Sequence, residues 1–276
     1  MGPQSINGMD ALFLIGERLN STHSAVRRIL EERDTGAFRE LVEAQIKGGA
    51  ACIDLNASML MSEEEDGLRW GAGIVRRLFG VPVMIDSPDS RILARLAGEY
   101  GGDCILNSIS ADGETLEEIL PAASREGAGV VVMLKDKNGI PSSAEEKLAL
   151  AARVSASAEK AGIAPERLFI DPVFTPVATA PGGMSAVLEC IRGIAQRFPA
   201  HRTIGGLSNV SFGLPERKLL NRSFAAMVAS FGISALICDT TDRELMKILK
   251  ASETLIGRDR SCRKFLEWYR GERETK

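Results

Sequence analysis

Carboxylate and carboxamide side chains recur in this sequence directly after short apolar runs. A single Asp or Asn at the end of a strand often caps the next helix, so any one of them has an ordinary structural explanation. A whole set is harder to explain in this way, because a buried polar group without a partner costs roughly 1–3 kcal/mol. The pattern therefore predicts a polar rim that binds a polar ligand or ordered water. Its residues are Glu17, Asn20, Asp54, Asn56, Asp86, Asn107, Asp171, Ser208, Asn209 and Asp239.

Residue patterns typical of several other catalytic sites are missing. The two histidines, His23 and His201, do not end predicted strands, so no histidine-based metal site is expected. The sequence has no GxSxG nucleophile elbow, and no cysteine pairs with a nearby histidine. Lys135, just past the fifth apolar run, is the one candidate for a Schiff-base lysine. Acids and amides alone favour a flat heteroaromatic ligand recognised by hydrogen bonds, with no bound metal.

A pterin ring has the hydrogen-bonding groups that such a site would recognise. Its amino-pyrimidinone edge carries adjacent N–H donors that match the two oxygens of a carboxylate. Its carbonyl group and ring nitrogens suit a carboxamide. Asp86 and Asp171 can accept from the donors, and Asn107 can both donate and accept.

Eight apolar runs alternate with helical segments and must position these side chains. Each run is nearly continuous in hydrophobic residues, as expected for a parallel sheet covered on both faces. Eight strands, each followed by a helix, predict a (β/α)8 TIM barrel, in which the active site forms at the carboxyl ends of the strands. We expect one domain over 11–276, preceded by an N-terminal extension, 1–10. The predicted strands are 12–17, 52–56, 81–87, 104–109, 129–134, 168–172, 202–207 and 235–239.

A doubly wound sheet is the rival fold, and it usually carries a glycine-rich fingerprint after its first strand. The nearest match here, "WGAGIVRRLFG", precedes a strand and lies within a helical pattern. We interpret its glycines as helix-packing positions rather than as a phosphate-binding loop.

Composition narrows the partners and the compartment. The chain has 276 residues and a net charge of -3, which does not favour nucleic acid or an anionic membrane as the main partner. Its five cysteines are scattered, and Cys52, Cys104 and Cys238 lie in apolar runs, where a reduced thiol packs as a small hydrophobe. No signal peptide or bilayer-spanning run is evident. These features predict a cytoplasmic protein.

The segments at the strand ends resemble one family along nearly the whole chain. They are "IGERLN", "IDLN", "IDSPD", "LNSIS", "FIDP" and "GLSNVSFGLPERKLLNRSF". From about Leu12 to Cys262, the sequence is similar to the pterin-binding methyltransferases. The branch it resembles most is that of the methyltetrahydrofolate:corrinoid-protein methyltransferases, which are related to the folate domain of cobalamin-dependent methionine synthase.

The resemblance implies a homodimeric (β/α)8 barrel that binds tetrahydrofolate or 5-methyltetrahydrofolate. It assigns the pterin contacts to Asp86, Asn107 and Asp171, and it places Asn209 near N5 of the folate. The remaining substrate-binding residues that it implies are Glu17, Asn20, Ser208 and Arg217.

Two departures separate this chain from relatives of the same fold. Dihydropteroate synthase shares the pterin site, but its different second-strand loop and its late basic Ser-Arg-type motif are not found here. Relatives in the methyltransferase branch can carry a glutamine three residues after the asparagine, where this chain has Phe212. The polar network around N5, or the surface that faces the corrinoid, is therefore expected to differ.

The implied reaction moves a methyl group between N5 of tetrahydrofolate and the cobalt of a corrinoid. Hydrogen bonding or protonation of N5 as the C–N bond breaks is typically worth ~10²–10⁴-fold. Asn209 can donate a hydrogen bond but has no proton to release at neutral pH. We therefore expect it, as the catalytic residue, to stabilise N5 in its protonated state, with the proton supplied from solvent through ordered water.

The corrinoid must come from outside this chain, because the sequence has no DxHxxG cobalamin signature. A separate corrinoid protein, or free cobalamin, would dock over the barrel mouth. The Phe212 departure favours transfer from methylcorrinoid to tetrahydrofolate, as in a demethylation pathway. The opposite direction, a dihydropteroate-synthase-like enzyme and a non-catalytic folate-binding protein remain as alternatives.

Overall fold

A barrel of parallel strands surrounded by helices forms the described part of the chain. The computed structural model describes residues 11–180 and 182–274, so the predicted extension, 1–10, lies outside it. Within these ranges, eight strands form one sheet, and the predicted (β/α)8 barrel is confirmed. The strands are β1 (Phe13–Asn20), β2 (Cys52–Asn56), β3 (Val83–Asp86), β4 (Cys104–Ser110), β5 (Gly129–Met133), β6 (Leu168–Asp171), β7 (Arg202–Thr203) and β8 (Ala235–Cys238).

Helices connect the strands, and the glycines that follow several of them end each helix in a left-handed residue. Gly49, Gly80, Gly127, Gly162 and Gly232 each have a positive φ at a helix C-cap and come shortly before a strand. The helices of the described residues are α1 (Ser24–Glu31), α2 (Thr35–Gly48), α3 (Glu64–Phe79), α4 (Ser90–Tyr100), α5 (Gly113–Glu126), α6 (Ala144–Ala161), α7 (Ser185–Arg197), α8 (Arg217–Phe231), α9 (Arg243–Leu255) and α10 (Arg263–Glu274).

Strand β1 runs three residues beyond its predicted end, to Asn20. Its register with β2 shifts between Gly16 and Leu19, which marks a β-bulge. The side chain of Gln45, from α2, reaches this bulge, where its Oε1 accepts a hydrogen bond of 2.8 Å from the backbone N–H of Arg18. A Cβ atom at Gly16 would lie 2.5 Å from Gln45 Oε1. A contact from a distant helix therefore shapes the end of this strand.

Strand β7 is shorter than the predicted 202–207, and it closes the barrel through its flanking residues. The backbone N–H of Ile237 donates to the carbonyl of Gly205 at 3.1 Å, and Gly206 pairs with Ile237 as an isolated bridge. The ring of Phe174 approaches Gly205 so closely that a Cβ there would lie 2.3 Å from it. The chain then turns into a 3₁₀ helix, Leu207–Asn209. Local sequence does not predict this early departure, because Phe174 belongs to the preceding loop.

Side chains on the strands alternate between an inner and an outer apolar layer. The outer layer packs between the sheet and the helices, and it includes Ile53, Leu55, Val83, Ile85, Leu106 and Val130. The inner layer fills the barrel, and it consists of Phe13, Ile15, Ala51, Cys52, Met84, Ile105, Val131, Phe169, Ile204 and Ala235, with Ile237 packed against them.

The glycines of "WGAGIVRRLFG" lie in α3, the helix that precedes β3. A Cβ at Gly71 would lie 2.8 Å from Leu55 Cδ2 and 3.1 Å from the ring of Phe38. Gly71 therefore allows α3 to approach the sheet closely, which agrees with the helix-packing interpretation.

Replacing Gly71 with alanine tests this packing, and Gly73→Ala on the same helix is the matched control. The nearest atom to a Cβ at Gly73 would be Tyr100 Oη, at 3.7 Å. Alanine favours a helix over glycine by about 0.5–1 kcal/mol, so we expect Gly73→Ala to raise the free energy of unfolding. Gly71→Ala should lower it, because Leu55 or Phe38 must shift. Urea unfolding measures both values, and equal stabilisation by the two substitutions would contradict the packing interpretation.

Candidate active site

A layer of polar side chains lies directly above the apolar filling of the barrel. On six strands, the residue two positions after an inner-layer residue is a carboxylate or a carboxamide, and alternation along the strand points it into the same interior. On β5, this position is occupied by Met133. The six polar residues are Glu17, Asp54, Asp86, Asn107, Asp171 and Asp239.

Hydrogen bonds join the polar side chains of β2 to those of β3 and β4. Asn56 Nδ2 donates to Asp86 Oδ2 at 3.0 Å, and Asn107 Nδ2 donates to Asp54 Oδ1 at 3.2 Å. Asp54 and Asn56 are buried, whereas Asp86 and Asn107 are half-buried. Two predicted pterin-binding residues are therefore positioned by two side chains that sequence reasoning placed on the rim but did not assign to the site.

A second register shift lies at Asn107. The pairing of β4 with β5 is irregular between Leu106 and Ile109. Bulges of this kind redirect a side chain at the rim of a barrel. Glu17 lies in the bulge of β1 in the same way. Both irregularities thus fall on residues that the sequence analysis predicts to bind substrate.

Asp171 lies on β6, and its side chain is oriented by its own loop. Asp171 Oδ1 accepts a hydrogen bond of 2.7 Å from the backbone N–H of Val173, whose φ of 62° is unusual for a β-branched residue. Burial raises the pKa of Asp171 to about 6, and the nearby Lys147 opposes that rise. Lys147 is itself buried, and its Nζ donates to the carbonyl of Pro172 at 2.7 Å.

A cavity of about 1050 Å³ opens at the carboxyl ends of the strands. The cavity is not lined by Asp86, Asn107 or Asp171. Asn107 is nevertheless hydrogen-bonded to Asp54, and Asp54 lines the cavity. The structure thus brings five of the eight predicted site residues together at one cavity, and it connects Asn107 to that cavity through Asp54. The predicted residues that line the cavity are Glu17, Asn20, Ser208, Asn209 and Arg217.

The turn that carries Ser208 and Asn209 is held from two sides. Ser208 Oγ donates to Glu17 Oε1 at 2.6 Å. On the other side, Arg217 Nη2 donates to the carbonyl of Ser208 at 2.9 Å, and Arg217 Nε donates to Ser211 Oγ at 3.1 Å. The side chain of Asn209 is exposed and lines the cavity. Arg217 therefore fixes the turn, and this arrangement leaves the amide of Asn209 facing the cavity.

Asn20 has a local structural role in addition to its place on the cavity wall. Its Oδ1 accepts hydrogen bonds from the backbone N–H and the hydroxyl of Thr22, at 3.0 and 2.7 Å. Its Nδ2 remains a donor for a ligand.

Asp89, rather than Asp86, caps α4, since Asp89 Oδ1 accepts from the backbone N–H of Arg91. The capping explanation thus applies to Asp89 and leaves Asp86 for the polar layer.

Burial raises the pKa of four carboxyl groups in this layer, those of Glu17, Asp54, Asp86 and Asp171. Burial raises the pKa of Glu17 to about 7 and that of Asp86 to about 6. Burial also holds the pKa of Asp54 well above its usual range, and the neighbouring Asp86 adds to that effect. Proton affinity in this site is therefore matched to neutral pH, where a general acid or base works best.

Two further observations concern metals and membranes. In residues 11–180 and 182–274, no group of three or more His, Cys, Asp or Glu side chains is placed to hold a metal ion. No helix in the same ranges is long and apolar enough to cross a membrane.

Comparison with known families assigns the chain to one of them. The family described as "Pterin binding enzyme" matches residues 16–239, a range that begins in β1 and ends just after β8. The chain belongs to the pterin-binding enzyme family. The predicted family is thereby confirmed, and the matched range includes every predicted site residue.

Individual relatives agree with this assignment. The chain is 33% identical over 261 residues to the methylcorrinoid:tetrahydrofolate methyltransferase of Eubacterium limosum, with 94% of this chain and 96% of that protein covered. It is 27% identical to the methionine synthase of Mycobacterium leprae, over 82% of this chain but only 20% of the longer protein. A dihydropteroate synthase structure from Xanthomonas albilineans matches with a TM-score of 0.70 and 19% identity, over 90% of this chain and 94% of that one, and shares the fold.

The raised pKa values predict how the stability of the protein depends on pH. In the unfolded chain, the carboxyl of Asp86 loses its proton near pH 3.8, whereas the folded protein holds it to about pH 6. The free energy of unfolding should therefore fall as pH rises between these values. We expect Asp86→Asn, which keeps an oxygen acceptor for Asn56, to reduce the stability difference between about pH 5 and about pH 8.

Asp89→Asn, three residues along the chain, is the matched control. The pKa of Asp89 is lowered to about 2, chiefly by Arg91, so Asp89 stays ionised throughout this pH range. Its replacement should leave the difference between the two pH values unchanged. Urea unfolding at both pH values measures the slope, and identical slopes in the wild-type protein and the Asp86→Asn variant would contradict a raised pKa at Asp86.

Proposed function

We propose that this protein transfers a methyl group from the cobalt of a methylcorrinoid to N5 of tetrahydrofolate. The observation that carries the proposal is the 33% identity to the methylcorrinoid:tetrahydrofolate methyltransferase of Eubacterium limosum, which extends over 94% of this chain. The polar layer at the barrel mouth supports it, because carboxylates and carboxamides are the groups that a pterin ring requires. A catalyst accelerates both directions, so the same site also runs the reverse reaction.

The pterin ring binds at Asp86, Asn107 and Asp171 in this proposal. The raised pKa values of the two aspartates describe the protein without ligand, in which burial disfavours charge. The N–H donors of a pterin would stabilise the ionised carboxylates, as hydrogen bonds to a charged form do. Asn107 is held by Asp54 and can present its Oδ1 to a ring N–H.

The N5 side of the pocket is formed by the turn that contains Asn209. The exposed amide of Asn209 lines the cavity, and its backbone position is fixed by the bonds that Arg217 makes to Ser208 and Ser211. An amide donor at this place stabilises N5 in its protonated state. Glu17 and Asn20 complete the wall on the β1 side.

The methyl donor is a corrinoid held by a separate protein, which docks over the barrel mouth. The rim residue Phe212 is 66% exposed three positions after Asn209, so an apolar ring stands where relatives can carry glutamine.

The protein would act in the cytoplasm as a homodimer. Its free cysteines support a reducing compartment, since Cys52, Cys104, Cys190 and Cys238 are buried as thiols and Cys262 is exposed.

Two other functions make different predictions in one set of assays. A non-catalytic folate-binding protein would bind tetrahydrofolate but would leave the spectrum of methylcobalamin unchanged. A dihydropteroate-synthase-like enzyme would form product from a pterin pyrophosphate and p-aminobenzoate. The likeness to dihydropteroate synthase structures is one of fold, because the identity is only 19%.

Replacing Asn209 with alanine tests the assigned role. The wild-type protein, mixed with methylcobalamin and tetrahydrofolate without oxygen, should convert the methylcobalamin spectrum to that of cob(I)alamin. Asn209→Ala should slow this conversion by about 10²–10⁴-fold, because the hydrogen bond to N5 is lost. Binding of tetrahydrofolate should be weaker but measurable.

The matched control is Asn138→Ala, which removes an exposed asparagine from the loop between β5 and α6. Its conversion rate should equal that of the wild-type protein. An unchanged rate in Asn209→Ala would remove Asn209 from the mechanism, whereas no spectral change with the wild-type protein in either direction would favour a folate-binding protein.

A further inference from the structure

The contact between Glu17 and Ser208 suggests a source and destination for the proton at N5. We propose that these two residues form a proton relay, in which Ser208 passes the proton between N5 and the carboxyl group of Glu17. The inference rests on the proposed methyl transfer and adds to it, since it replaces bulk solvent with a group of the protein as the immediate proton partner.

The geometry that supports the relay is a short hydrogen bond at the cavity wall. Ser208 Oγ donates to Glu17 Oε1 at 2.6 Å, and this contact joins residues 191 positions apart in the chain. Both residues line the cavity, as does Asn209, which directly follows Ser208. The amide assigned to N5 and the hydroxyl bonded to Glu17 therefore sit on one turn.

The turn is held so that Ser208 keeps this contact. Its carbonyl accepts hydrogen bonds from Arg217 Nη2 at 2.9 Å and from Ser211 Oγ at 3.3 Å. Glu17 is positioned from the other side by the bulge of β1, where Gln45 binds the backbone of the next residue, Arg18. A relay needs donor and acceptor fixed at hydrogen-bonding distance, and both partners meet that requirement.

Asp54 and Asp239, the other strand-end carboxyl groups that line the cavity, are bound to other partners. Asp54 Oδ1 accepts a hydrogen bond from Asn107 of β4. Asn107 and Glu17 lie on opposite sides of β2 in the sheet. Asp239 Oδ1 accepts from the backbone N–H and the hydroxyl of Thr241, and its Oδ2 lies 3.6 Å from Arg18 Nη1. Glu17 is thus the carboxyl group that contacts the turn carrying Asn209.

Burial and the charges around Glu17 together bring the pKa of its carboxyl group close to neutral pH. Burial is the largest influence and raises the pKa to about 7, and Asp239 raises it further, whereas the hydrogen bond from Ser208 and the positive charges of Arg217 and Arg18 lower it. The titratable and charged groups that face Glu17 are Arg18 on its own strand, Asp54 on β2, Arg217 on α8, and Cys238 and Asp239 at the end of β8.

The relay accepts the proton that N5 releases when the methyl group moves from the corrinoid to the folate. The bond between N5 and the methyl carbon forms while the cobalt–carbon bond breaks, and the bonding pair of electrons stays on cobalt, which is formally reduced by two electrons. N5 then carries a positive charge and loses its proton to Ser208 Oγ, while the Ser208 hydroxyl proton moves to the Glu17 carboxylate. When Glu17 is ionised, the hydrogen bond runs from Ser208 to Glu17, which is the direction that this transfer needs.

The reverse direction uses the same groups with the hydrogen bonds turned around. Neutral Glu17 donates to Ser208 Oγ, and Ser208 donates its proton to N5. The methyl group then moves to cobalt, which supplies the electron pair for the new bond, and the pair of the broken N–C bond stays on N5. One proton is consumed in this direction, and one is released in the other.

The pH dependence of single-turnover rates tests the relay, with methylcobalamin and saturating tetrahydrofolate from about pH 5 to about pH 9. In the wild-type protein, transfer to tetrahydrofolate should accelerate as pH rises through about 7, because the ionised form of Glu17 accepts the proton. Transfer from 5-methyltetrahydrofolate to cob(I)alamin should slow over the same range. A purely structural role for Glu17 would not give these opposite slopes.

Three variants separate the relay from simple substrate binding. Glu17→Gln should lose the inflection and slow transfer at least tenfold, roughly the smallest effect expected for a missing acid–base group, with tetrahydrofolate affinity close to wild type. Ser208→Ala should slow transfer and move the inflection to higher pH, because the hydrogen bond from Ser208 lowers the pKa of Glu17. Glu117→Gln, which changes an exposed glutamate of α5 that does not line the cavity, is the control and should match the wild-type protein.

The outcomes distinguish failure of the relay from failure of the proposed function. No turnover with the wild-type protein in either direction would refute the proposed methyl transfer itself. Wild-type turnover combined with an unchanged inflection in Glu17→Gln would overturn the relay alone. Loss of tetrahydrofolate affinity in Glu17→Gln, with a wild-type pH profile at saturation, would also overturn it and leave Glu17 as a binding residue.

Discussion

The site depends on one constraint, which is that carboxyl groups rest directly on the apolar interior of a barrel. A carboxylate beside apolar side chains loses hydration, so its neutral form is favoured unless donors or cations compensate. The protein supplies only part of that compensation, and the cavity above the layer leaves room for a ligand to supply the rest. The contacts that compensate in the absence of a ligand are those from Asn56 to Asp86, from Asn107 to Asp54, from Ser208 to Glu17 and from Val173 to Asp171.

The eight-stranded barrel could be predicted from sequence because its strands are buried on both faces and therefore appear as continuous apolar runs. The two largest errors in the predicted strand ends, at β1 and β7, depend on contacts with other elements. Gln45 binds the backbone in the bulge of β1, where the strand continues beyond its predicted end. The ring of Phe174 packs against Gly205, where the chain leaves β7 early. Local patterns carry no information about either contact, since each joins a strand end to a different element.

The candidate site was predictable to a similar degree, and for a physical reason. A polar residue two positions after an inward apolar one must face the barrel interior, so the strand-end residues could be found from sequence. The same alternation would have added Asp54 to the site, two residues before Asn56 on β2. The bond between Glu17 and Ser208 was not predictable, because it crosses from β1 to the turn after β7 and depends on how the barrel closes.

The same constraint links binding, stability and proton transfer. A ligand that donates hydrogen bonds to Asp86 and Asp171 favours their ionised forms and so removes part of the cost of burying them. Glu17 differs, because its partner in the protein is a hydroxyl that can both donate and accept. Its protonation can therefore change during a reaction without breaking the contact, whereas an aspartate that accepts a pterin N–H, as proposed, would be stabilised in its ionised form by that hydrogen bond. On the proposed function, a single polar layer would thus contain carboxyl groups that hold the ligand in place and one that exchanges a proton.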